Sequence, residues 1–209
     1  MTAALVALAL AAAPAAPAAE RDAAALAREV QAYYDRTKDL EARFVQTYTY
    51  AAFGRSQSSR GTLRVKKPGK LRWDYEAPSQ KTVLVNGSKL VQWEPEVNQA
   101  YVDEHFDATA LSAAVTFLVG QGRLEKEFAL GTNAEGQLVL TPRQPDGRVR
   151  EVVLTVGEGG VVTATRVVDG SGNTNALEFK DVKRNPGLKD SVFELQLPKD
   201  VHYVKAPAP

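Results

Sequence analysis

The two histidines, His105 and His202, are the only side chains whose ordinary pKa lies near neutrality, and they stand far apart in unlike polar settings. Neither has a second histidine or a cysteine at a metal-ligand spacing, so no metal centre is expected. The chain has no cysteine at all, which excludes a thiolate nucleophile, thiolate metal ligands and disulfides. The serines at 56, 58, 59, 79, 88, 112, 171 and 191 lack the glycine-flanked elbow or Ser-x-x-Lys context that activates a hydroxyl. Gly157, Gly159 and Gly160 precede a strand pattern, whereas a phosphate-cradling loop opens a helix. The carboxylate pairs Asp74 with Glu76 and Asp103 with Glu104 lie on strands of alternating pattern, where carboxylates are expected as part of the solvated face. Catalysis is therefore not expected, and neither is a cofactor. What keeps a chemical signature is Lys67, a flexible ammonium with three donors placed just before Pro68.

Lys67 sits at the corner of the most informative stretch, Gly61 to Pro78. Strand side chains alternate faces, so Leu63 and Val65 share one face of the first arm. Leu71, Trp73 and Tyr75 share one face of the second arm, and Arg64, Lys66, Arg72, Asp74 and Glu76 fall on the opposite side. Pro68 has no amide donor, and Pro68-Gly69 interrupts the ladder. The arms predict a sheet with one apolar and one wet side.

The 209 residues fit one β domain, and 44% hydrophobic with 24% charged residues is a globular composition. A net charge of +1 gives no field suited to nucleic acid. Residues 1–19 read as a cleaved export signal: an apolar run from Ala3 to Ala13, then Ala16-Pro17-Ala18 as a small-x-small site. That predicts work in solution outside the cytoplasm. From Glu20 to about Lys38, Leu26, Val30, Tyr33 and Tyr34 recur at helical spacing. Strands are then predicted from Leu40 to Tyr50, with a polar loop from Ala51 to Arg60, and on either side of Asn86-Gly87, a strong hairpin signal. Further strands are predicted at 137–141, 148–156, 161–168 and 175–182, and a last one holding Phe193, Leu195 and Leu197. Thr109 to Val119 carries a helical stripe of Leu111, Ala114, Val115 and Leu118. Short turns predict an antiparallel meander of about ten to eleven strands, which at that width must curl. The mid-chain helix is expected over its concave face, in a single domain of residues 20–205 with a Pro-rich tail at 206–209.

The ordered set of residues resembles a known family. The glycine, the alternating strand, the basic residue before proline and then RWDYEAP are similar to the carrier family of the lipoprotein-localisation pathway. The likeness extends upstream through LEARFVQTYTY and downstream through VLVNGSKLVQWEPEVNQAYV, covering most of residues 40–105. It implies an unclosed antiparallel β-barrel whose mouth is covered by helices. It also implies a soluble periplasmic carrier, a monomer, that binds the acyl chains of lipoproteins in a hydrophobic cavity. Its expected partners are an inner-membrane ATP-binding-cassette release complex and an outer-membrane receptor. A lipid- or lipoprotein-sensing envelope module of the same fold is the alternative. The receptor of this pathway carries an N-terminal lipidated cysteine, which this chain lacks.

The resemblance gives the basic residue before proline the role of a latch that hydrogen-bonds lid-helix carbonyls and releases them when lipid enters. The family has arginine there; this chain has Lys67, without arginine's planar fork. Candidates for lining the cavity are Phe44, Leu63, Val65, Leu71, Trp73 and Tyr75, then Val83, Val85, Leu90 and Trp93 on the next hairpin. The lid would contribute Leu111, Val115 and Leu118. The phase stays open on the later hairpin, since Leu84, Val91 and Trp93 can share a face instead.

Overall fold

Asp22 accepts a hydrogen bond from the amide of Ala24 and caps helix α1, Ala23–Asp35. Its buried residues, Leu26, Ala27, Val30, Tyr33 and Tyr34, recur at helical spacing and form one apolar face. The computed structural model describes residues 22–106, 122–144, 147 and 149–204. The expected export signal, the mid-chain helix with Leu111, Val115 and Leu118, and the 206–209 tail lie outside the described residues.

After α1 come β1 (Asp39–Tyr50), β2 (Arg55–Lys66), β3 (Lys70–Ala77), β4 (Lys81–Asn86), β5 (Lys89–Glu94) and β6 (Gln99–Asp103). A single helical turn, α2 (Leu124–Glu127), leads into β7 (Phe128–Thr132) and β8 (Leu138–Pro142). The described chain ends with β9 (Glu151–Val156), β10 (Val162–Val168), β11 (Thr174–Arg184) and β12 (His202–Val204).

These strands make one sheet of twelve, in the order β12-β6-β5-β4-β3-β2-β1-β11-β10-β9-β8-β7. All neighbours are antiparallel except β12, which runs parallel to β6. The sheet is unclosed, with β7 at one edge and β12 at the other. It is two meanders joined at β1 and β11, not the one long meander the turns suggest. The chain leaves β6 on one side and re-enters at the opposite edge with β7. Short turns fix only which consecutive strands are neighbours, and they carry no information across the β6–β7 connection.

Two further expectations are corrected. The segment from Arg55 to Arg60 is strand, paired with β1 from Tyr50↔Arg55 onward. It is largely exposed, so it shows no apolar alternation. Phe193, Leu195 and Leu197 are not a strand. Residues 190–193 form a 3₁₀ turn, and the segment from 186 to 201 crosses the outer face of the sheet as a strap.

Among the described residues most buried apolar side chains belong to one cluster, in which α1 meets the inner face of the sheet. The helix packs over β7, β8 and the 158–160 turn. Gly160 is required there, because an added Cβ would lie 2.3 Å from the Glu29 carbonyl oxygen of α1. A second, smaller cluster forms on the outer face, where Phe193 of the strap covers Leu84 and Val91.

Candidate ligand-binding face

The pairing register defines the inner face strand by strand, because directly paired residues point to the same side. From Phe44 it runs through Ala42↔Leu63 and Leu40↔Val65 to Leu63↔Trp73 and Val65↔Leu71. It continues through Trp73↔Val83 and Leu71↔Val85 to Val85↔Leu90. The candidates from Phe44 to Leu90 therefore share one face. Phe44, Leu63, Val65, Leu71, Trp73 and Val85 are buried, whereas Tyr75, Val83 and Leu90 are half-buried.

Trp93 does not belong with them. It pairs with Thr82 and Ala100, which places it on the outer face with Leu84 and Val91. Strand side chains alternate with period two, so Leu90 inward puts Val91 and Trp93 outward. The outer surface of β4 and β5 is itself apolar because the strap covers it, and that obscured the alternation.

The inner face also extends beyond the candidates. On the other half of the sheet it includes Leu138, Leu140, Val152, Leu154 and Leu177, all buried, and Phe179, half-buried and paired with Phe44. Their alternation in the segments 138–142, 151–156 and 174–184 was the available signal.

Around β1 and β3 the inner face is aromatic. Phe44 meets Trp73 and Tyr75 edge-on, at ring-centroid distances of 5.4 and 5.1 Å, and Trp73 stacks on Tyr75 at 6.2 Å. Gly61 makes room for this cluster. A Cβ there would sit 1.9 Å from the Asp74 carbonyl oxygen and 3.0 Å from the Phe44 ring. Burial pushes the Tyr75 phenol up to about 12, opposed by a hydrogen bond with Gln46. Gln46 also donates to Asn175 at 2.9 Å, and the Lys81 ammonium lies 4.6 Å from the Tyr75 ring centroid. Polar groups thus collect at the Tyr75 end of an otherwise apolar surface.

At the opposite end of β3 is the corner. The backbone amide of Lys67 donates to the Lys38 carbonyl at 2.8 Å, and its ammonium donates to the Tyr34 carbonyl at 2.5 Å. Tyr34 lies in the last turn of α1, where carbonyls lack intrahelical partners and a cation is favoured. The amide of Thr37 shares that carbonyl at 3.0 Å. Burial lowers the Lys67 pKa, opposed by the nearby Asp35 carboxylate. Burial raises the Tyr34 phenol, although a hydrogen bond with the Val162 backbone works the other way.

The outer face is arranged for attachment. Arg64 reaches Glu41 and Asp74, each at 2.9 Å, and the Arg72 Nε–H is shared between both carboxylate oxygens of the same Asp74. Asp190 of the strap is held by Lys66 at 2.5 Å and Lys70 at 3.0 Å, while Arg72 donates to the Val192 carbonyl. Among the described residues no group of histidines and carboxylates is placed to hold a metal ion. No described helix is long and apolar enough to cross a membrane.

The profile of the family described as outer membrane lipoprotein carrier protein LolA matches residues 35–196. An outer-membrane lipoprotein carrier protein of Dechloromonas aromatica is 32% identical, over 79% of this chain and 81% of its own length. One from Methylobacillus flagellatus is 27% identical over 81% of this chain and 83% of its own. Among solved structures, an uncharacterised conserved protein from Thermus thermophilus superposes with a TM-score of 0.52 at 13% identity. The match covers 88% of this chain and 98% of that one, a likeness of fold alone.

Proposed function

This chain belongs to the outer membrane lipoprotein carrier family, and on that premise we propose that it carries lipoproteins by sheltering their acyl chains against the inner face of its sheet. Hydrocarbon explains the need. At about 0.8 kcal/mol per buried CH₂, three chains of about fifteen methylenes cost on the order of 35 kcal/mol to expose to water. A lipidated polypeptide crosses an aqueous compartment only if something covers that surface.

The observation that carries the proposal is the continuity of the inner face. Apolar side chains run from Leu90 and Val83 on β5 and β4, through Trp73, Leu63 and Phe44, to Leu177, Leu154 and Leu140 on the far half. Packing under α1 buries one part of this surface, and around Tyr75, Val83 and Leu90 it is only half-covered. The second region is where acyl chains enter. Lys67 acts as the latch, holding the last turn of α1 to the β2–β3 corner when no cargo is bound.

In this reading the protein works in the periplasm. It receives cargo from an ATP-driven release complex in the inner membrane and passes it to a receptor at the outer membrane. The test is to purify the protein from periplasm under detergent-free conditions and identify what comes with it by mass spectrometry. Acylated polypeptides in stoichiometric amounts support the proposal; protein free of any lipidated species, even with the release complex overproduced, overturns it.

A further inference from the structure

Among the described residues two buried side-chain polar atoms have no hydrogen-bond partner, Trp73 Nε1 and Thr165 Oγ1. Both residues lie on the inner face: Trp73 pairs with Leu63 and Val83, and Thr165 with Leu154 and Leu177. An unpaired buried polar group is disfavoured, so each marks a place where a ligand can supply what the protein does not. A threonine hydroxyl donates or accepts and specifies little. An indole nitrogen only donates, so Trp73 specifies an acceptor.

Its surroundings narrow the choice. Trp73 is only 8% exposed, and its strand neighbours on this face, Leu63 and Val83, are aliphatic. The nearby Gln46 is already engaged by Asn175 and Tyr75. Along β3 the inner face passes from buried Leu71, through Trp73, to half-buried Tyr75 with the Lys81 ammonium over its ring. That sequence of apolar wall, single donor and charged rim spans about 13 Å at strand spacing. It matches the polarity order of an acylated glyceryl group: hydrocarbon tail, ester carbonyl, polar head.

We propose that the Trp73 indole N–H is a specificity determinant that donates its hydrogen bond to the ester carbonyl of a bound acyl lipid. The inference rests on the acyl-carrying reading and adds to it the chemical group recognised. Hydrocarbon alone leaves the indole unsatisfied; an ester carbonyl, a stronger acceptor than an ether oxygen and one that projects from the chain, satisfies it. The face therefore discriminates esters from ethers of the same chain length.

The experiment compares a short-chain diacylglyceryl lipid with its dialkyl ether analogue, using full-length mature protein in a Trp93→Phe background. Trp73 is then the sole tryptophan, since the chain has two. The ester is expected to bind about fivefold more tightly than the ether, the value of one neutral hydrogen bond. Trp73→Phe should bind both lipids alike, near the affinity of the ether for the parent. The indole N–H proton resonance should move downfield with the ester and stay in place with the ether. Equal affinities in the parent protein, a preference that survives Trp73→Phe, or an indole resonance indifferent to the ester overturns the proposal. If Trp73→Phe does not fold, the parent's ester-to-ether ratio and its indole resonance decide alone. Binding of neither lipid overturns the carrier reading along with this one, whereas equal binding of both overturns only the ester assignment.

Discussion

The Lys67 ammonium lies 2.5 Å from the backbone carbonyl oxygen of Tyr34, tying the β2–β3 corner to the C-terminal turn of α1. The contact joins the two parts of the molecule that would separate if α1 were to tilt away from the sheet. It is a charge-assisted bond at a helix end where carbonyls need donors.

Lys67→Leu should therefore loosen the last turn of α1. The side chain is half-buried, and solvent screening brings the expected loss to about 1 kcal/mol. Denaturant unfolding measures the loss, and hydrogen exchange localises it to residues 33–37. Lys67→Arg should restore the bond with a more rigid donor and slow cargo entry. Unchanged exchange at the end of α1 in Lys67→Leu would show that the ammonium holds nothing there.

Phe193 of the strap is 0% exposed, packed against Leu84 and Val91. Phe193→Ala should destabilise the protein by about 3 kcal/mol through the cavity it leaves. Limited proteolysis should then cut first between residues 186 and 201. The inner face lies on the other side of the sheet, so acyl binding by the remaining folded protein should persist. Simultaneous loss of binding would mean that the two faces are coupled.

Asp190 anchors the same strap electrostatically. Its hydrogen bonds and ion pairs with Lys66 and Lys70 lower its pKa below the ordinary 3.8. A carboxylate depressed in the folded state stabilises it above the unfolded pKa and loses that contribution as pH falls through the folded value. Strap protection from an acid-active protease should hold above pH 3.8 and decline below it. Asp190→Asn should be more readily cut at neutral pH and show a smaller change across that window. An identical acid profile for the two proteins would remove Asp190 from the anchor.

How much of this was legible in the sequence varied with local physics. The helix face Leu26-Val30-Tyr33-Tyr34 and the inward row Leu63-Val65-Leu71-Trp73 were readable because each element has one buried side. The position of Trp93 is ambiguous in the sequence because β5 is apolar on both sides, with Leu90 facing the core and Val91 the strap. Phe193, Leu195 and Leu197 alternate as a strand does, yet their burial comes from the outer face and not from a ladder. The last strand, His202–Val204, is short and exposed, and its parallel partner β6 lies about a hundred residues earlier, so no local pattern announces it. Lys67 stands out by its place before Pro68, and its latch role comes from the family resemblance. That its partner is the Tyr34 carbonyl depends on how α1 returns to the sheet, a long-range fact outside the reach of spacing.

The most direct test of acyl shelter on the inner face is extraction of a triacylated lipoprotein from vesicles carrying the ATP-driven release complex, read as lipoprotein in the vesicle-free supernatant. Leu71 is 1% exposed, so a charge there would break the fold before it probed binding; half-buried Val83 and Leu90 are the informative positions. The unaltered protein should bring lipoprotein into the supernatant as a stoichiometric complex. Val83→Glu and Leu90→Glu should fold with unchanged far-ultraviolet dichroism and leave the lipoprotein on the vesicles. Extraction by both variants at the parental level, or none by the unaltered protein, would contradict the account.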